Sequence, residues 1–222
     1  MSIKRIHLRK ALRLLYLPDS GRRALLRADI RNDLKKAQET EDDSGGDFHG
    51  PFWADAKRHV QGEINLFEKV KARIEANNRR ERLYPRLAKG FLDWWNEKRR
   101  WRNEPFEALP ISVKAQLPIP ELDSLVKIEN LLALKVGDHS ERIIYPYFSE
   151  EPALPIEGRR IGIGLLHKGL PSHKLQDLRV LDILRASSYG NIDNALEGNE
   201  YEIFLKKYAT LLAEWEKLKK DY

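Results

Sequence analysis

The stretch LVKIENLLALKVGDHSERIIYPYF, residues 125–148, decides the fold. Leu125–Val136 is strand-like at its ends and ambiguous in its middle. Gly137–Asp138–His139–Ser140 is a turn candidate, and Arg142–Phe148 reads as the returning strand. Together they form a β-hairpin, with a compact turn between two apolar runs. Pro146 has no backbone N–H to give to a ladder, so it belongs at a sheet edge or a strand end.

Downstream of the hairpin, residues 158–170 read either as a short helix or as a strand interrupted by Gly162 and Gly164. Val180–Leu184 is a good strand, and Ser187–Ile192 supplies a turn and a short partner. Residues 199–219 form a helix, because Tyr201, Phe204, Leu205, Tyr208, Leu211, Leu212, Trp215 and Leu218 trace one face. Upstream, Ile111–Ala115 reads as a short strand. Before residue 105 the pattern is helical: 3–17, 22–38, a long helix over 51–78 with Gly62 as its weak spot, and 86–102. Helices first, strands next and a closing helix make an α+β arrangement. The expected division is a basic helical region, 1–104, with an acidic linker near 39–49, and a strand-containing α+β region, 105–222. The sheet is expected to be small and mainly antiparallel.

The order of hairpin, crossover and second acidic strand, over about 111–192, resembles the restriction-endonuclease-like PD-(D/E)XK core. That resemblance implies divalent-metal hydrolysis of a phosphodiester, with Asp182 meeting Glu129, Asp138 or Glu141 and with Lys127 and Lys135 nearby. The family's hairpin strand carries an acid two residues before a lysine, and this hairpin has no such pair. Asp33–Leu34–Lys35 is an Asp-x-Lys, but it lies in an expected helix. The resemblance therefore points to a divergent nuclease without activity. Asp182, within an apolar run, must point outward or find a partner.

Charge separates the two halves. Of the 222 residues, 40 are Lys or Arg and 34 are Asp or Glu, a net charge of +6. Residues 1–110 hold 25 basic and 17 acidic side chains (+8), and residues 111–222 hold 15 and 17 (−2). The densest basic run lies between residues 69 and 102, with twelve Lys and Arg against four acids, and Trp94, Trp95 and Trp101 are set among them. Arginines engage phosphates, and aromatic rings stack on unpaired bases. Arg79, Arg80, Arg82, Arg86, Trp95, Arg99, Arg100 and Arg102 are thus the candidate surface for a nucleic-acid or protein partner. The alternative is that the tryptophans are core and the arginines solubilise the helices.

Other chemistry has little to stand on. Cysteine is absent, which excludes disulfides and thiolate sites. His7, His49, His59, His139, His167 and His173 are scattered without ligand spacing. Gly162-x-Gly164 lacks the rest of a phosphate loop. No apolar run is long enough for a bilayer. The reading is an intracellular, cytoplasmic, non-catalytic binding or accessory protein, with no catalytic residue, metal or cofactor assigned.

Overall fold

The computed structural model of the chain describes residues 3–38, 47–98, 106–137 and 140–222. Among them the order is β1 (Arg5–His7), α1 (Leu8–Tyr16), α2 (Asp19–Gln38), α3 (Gly50–Val60), α4 (Leu66–Ala76), α5 (Tyr84–Asp93), β2 (Phe106–Ala108), β3 (Ala115–Ile119), β4 (Ser124–Ile128), β5 (Leu132–Val136), β6 (Ser140–Tyr147), α6 (Ile156–Gly169), β7 (Leu178–Asp182), β8 (Ser187–Tyr189) and α7 (Glu200–Lys219). This is a mixed α+β fold with N-terminal helices, small sheets and a closing helix. No helix among the described residues is long and apolar enough to cross a membrane.

The strands form two sheets. One has the order β2-β5-β6-β7-β8 and the other β1-β4-β3. β5 and β6 are the expected hairpin, paired antiparallel from Leu132↔Ile144 to Val136↔Ser140. β6 then runs through α6 to β7, which lies parallel to it. Pairing with β5 stops at Ile144, so Pro146 has a strand neighbour on one side, Leu181. That is where a residue without an N–H is tolerated.

Several boundaries differ from the expectation, each for a local reason. The apolar run 125–136 is two strands, because Asn130 takes a left-handed conformation (φ 64°) and sends β4 and β5 into different sheets. Short polar side chains such as Asn tolerate that conformation. The 51–78 segment is also two helices. Gly62 at φ 77° ends the first, and Asn65 starts the second by accepting the N–H groups of Phe67 and Glu68. The first helix is preceded by a strand, since Arg5–His7 pairs with Leu125–Lys127. The expected strand at 111–115 lies four residues later, at β3. The glycine-bearing segment 158–170 is helical, as α6.

Each face of the larger sheet floors a core, by the alternation of strand side chains. Ile143, Tyr145, Tyr147, Leu178 and Val180 join α1, α6, α7 and the smaller sheet. Leu132, Leu134, Ile144 and Leu181 join Phe52, Trp53, Tyr84, Phe91 and Trp94 from α3, α5 and the turn after α5. α1 and α2 also pack on α7, from the other end of the chain.

Candidate partner-binding surface

The basic run gathers where α4 gives way to α5. Asn77 ends α4, and its side chain accepts the Arg79 N–H at 3.1 Å, which starts the short turn Asn78–Arg80. Arg79 is exposed at this corner. Arg80 is half-buried. Its Nη1 donates to the Arg73 carbonyl at 3.2 Å, and its guanidinium lies 5.4 Å from the centre of the Tyr84 ring. Arg73 in turn holds Asp55 through two bonds, 2.8 and 3.1 Å, and Asp55 is only 2% exposed.

Arg82 and Arg86, four residues apart, point to one carboxylate. Arg82 grips Glu150 in a fork, at 2.9 and 2.6 Å, and Arg86 bonds the same carboxylate. Hydrogen bonds from Arg82, and then from Arg86, hold the Glu150 carboxyl below its usual range. The two arginine side chains stay 74% and 55% exposed. Two guanidinium groups therefore share one negative charge at the surface.

Glu150 belongs to the loop after β6, and this loop draws further arginines. Arg185 donates to the carbonyls of Ser149 at 3.1 Å and Glu150 at 2.6 Å, and Arg13 reaches that of Glu151 at 3.3 Å. Arg82 and Arg86 thus fasten the helical layer to the ends of the parallel strands as well as facing solvent.

Trp95 lies apart from this corner. α5 passes into a wider π-type turn, Trp94–Lys98. Trp94 is buried there, and Trp95 is half-buried with its ring 5.9 Å from Trp94 and 6.4 Å from Phe106. The structure brings Arg82 and Arg86 together at Glu150, turns Arg80 back onto Arg73 and Tyr84, leaves Arg79 exposed and sets Trp95 on the aromatic core. Arg99, Arg100, Trp101 and Arg102 lie outside the described residues.

The acids named for metal chemistry occupy different places. Asp182 is fully buried at the end of β7, with both carboxylate oxygens 3.1 Å from Arg185. Burial pushes its carboxyl above the usual range, and Arg185 opposes that shift. Asp182 is level with Tyr147, whereas Glu141 stands at the other end of β6, six residues earlier. That is about 20 Å along a strand. Glu141 faces His173 at 3.6 Å. Glu129 faces His7 at 3.8 Å, where burial, and then Arg9, lower the imidazole pKa. Asp138 and His139 lie outside the described residues. Among the described residues no three His, Asp or Glu side chains converge to hold a metal.

Sequence reasoning missed Glu150, Asp55 and Arg185. Arg185 was within reach, because a buried Asp182 needs a cation and i+3 is one turn away. Glu150 was not, since 68 residues separate it from Arg82. No family model matches the chain, and no curated protein is found to match it.

Proposed function

We propose that the protein is a non-catalytic binding or accessory protein whose basic helical corner takes a polyanionic partner, with nucleic acid as the favoured class. The observation that carries this reading is the sharing of Glu150 by Arg82 and Arg86 beside the exposed Arg79. Exposed ion pairs contribute little to stability, roughly 0–1 kcal/mol, so a phosphate can replace the carboxylate at small cost. Phosphate accepts the same forked hydrogen bonds from arginine. A cytoplasmic place of action is part of the proposal.

The test is fluorescence anisotropy with labelled single-stranded and duplex oligonucleotides, and with poly-glutamate as a second polyanion. Binding should weaken as salt rises. Arg79→Glu with Arg86→Glu should weaken it further and flatten the salt dependence, by about 0.7 in log–log slope for each single-strand phosphate no longer neutralised. Glu150→Gln, which frees both arginines, should tighten binding. Absent or salt-insensitive oligonucleotide binding would overturn the nucleic-acid reading. Poly-glutamate bound more tightly than every oligonucleotide would move the partner class to an acidic protein.

A metal-dependent nuclease is the other reading of the β6–α6–β7 order. It requires Asp182 to leave Arg185 and meet a second acid. Magnesium-dependent cleavage of an oligonucleotide, lost in Asp182→Asn, would establish it.

A further inference from the structure

A cleft of about 650 Å³ opens beside the α3–α5 core, over the β5–β8 part of the larger sheet. Its floor is Leu134, Val136 and Ile144, and Trp94 and Phe106 form an aromatic wall. The volume is that of a small-molecule site.

Three arginines face this apolar floor, against one lining carboxylate, Asp193. Arg179 is the most constrained. Its Nη1 donates to Asp193 at 2.7 Å, and the same carboxylate oxygen accepts the Gly190 N–H at 2.9 Å. A Cβ at residue 190 would stand 2.2 Å from that Nη1, so the guanidinium lies directly against the Gly190 backbone and a side chain there would displace it. Among the described residues only Nη1 of this guanidinium is engaged. Arg142 donates to the Glu141 carbonyl at 2.8 Å and to Asp177 at 3.4 Å. Arg159 comes from α6, 3.9 Å over the Tyr189 ring, and has no carboxylate at ion-pair distance among the described residues. Ser187 and Ser188 add hydroxyls, and Ile192, 75% exposed, stands at the mouth.

Positive charge over an apolar floor with aromatic walls is the complement of one ligand chemistry. We propose that this cleft binds a small molecule with a planar apolar body and an oxyanion head, the body lying on Leu134, Val136 and Ile144 and the phosphate or carboxylate reaching Arg142, Arg159 and Arg179. Guanidinium groups held in place recognise such heads by paired, charge-assisted hydrogen bonds. The site is separate from the Arg79–Arg86 corner and does not depend on a polyanion binding there.

Titration calorimetry with 1-naphthyl phosphate and 1-naphthoate tests both heads, with 1-naphthol and inorganic phosphate as the two halves. At least one intact probe should bind about tenfold more tightly than either half, and Arg179→Gln should cost about tenfold or more. The exposed Ile192 supplies a control that spares the fold. Ile192→Lys should bind more tightly than Ile192→Glu, because the two variants differ chiefly in the charge at the mouth. The proposal is overturned if neither naphthyl anion binds. It is equally overturned if binding is the same in Arg179→Gln, or if 1-naphthol binds as tightly as both anions.

Discussion

A Cβ on Gly90 of α5 would sit 2.0 Å from the carbonyl oxygen of Ile183, just past the end of β7. Helix and sheet approach here too closely for any side chain. Gly90→Ala should therefore lose about 3 kcal/mol in urea unfolding, because overpacking outweighs the better helix propensity of alanine, about 1 kcal/mol. Asp55 makes a second residue-scale prediction. Removing it leaves Arg73 without its forked partner, and Asp55→Ala should cost about 2 kcal/mol by the same measurement. At this scale the sequence was legible where a residue's need could be met locally. Asp182, set in an apolar run, had to point outward or find a partner, and its partner Arg185 lies only three residues on. Asp55 gave no such signal, because its partner Arg73 stands on another helix, 18 residues away.

At the scale of elements, the closing helix was the easiest to read. Phe204, Tyr208, Leu211, Trp215 and Leu218 repeat at three and four residues and are all buried in α7. The hairpin was legible for the same reason, a turn between two apolar runs. The split of 51–78 was harder, since the apolar spacing continues across Gly62 while its positive φ and the Asn65 cap divide the helix. The split of 125–136 is a tertiary decision: both halves suit a strand, and separate sheets take them. α7 also carries Glu214, which holds Arg22 at 2.6 Å and Arg23 at 3.0 Å on α2. Burial by itself would raise the Glu214 carboxyl, but the hydrogen bonds from Arg22 and Arg23 outweigh it and bring it below the usual range. A depressed folded-state pKa stabilises the protein above the unfolded glutamate value, about 4.3, and this contribution fades as pH falls through and below it. The urea midpoint of the wild type should therefore drop more steeply between about pH 5 and pH 3 than that of Glu214→Gln. Equal slopes would show that the α2–α7 pairs do not contribute.

For the molecule as a whole, one sheet serves two cores. Trp53 and Trp94 report on one, and Trp215 reports on the other. Because β5, β6 and β7 contribute side chains to both, neither core can melt and leave the other its floor. Variants that keep only Trp53 or only Trp215 should unfold in urea with coincident midpoints, and separate midpoints would show that the layers are independent. The whole-molecule arrangement was the least legible. Nothing in the local pattern of Arg5–His7 reveals a strand beside Leu125–Lys127, and nothing in α2 names α7. These long reaches impose an order of events during synthesis. Arg22 is made 192 residues before Glu214. At about 5–20 residues per second, α1 and α2 wait roughly 10–40 s before α7 is even made. During translation the faces of α1 and α2 that α7 will cover stay open to solvent for that interval.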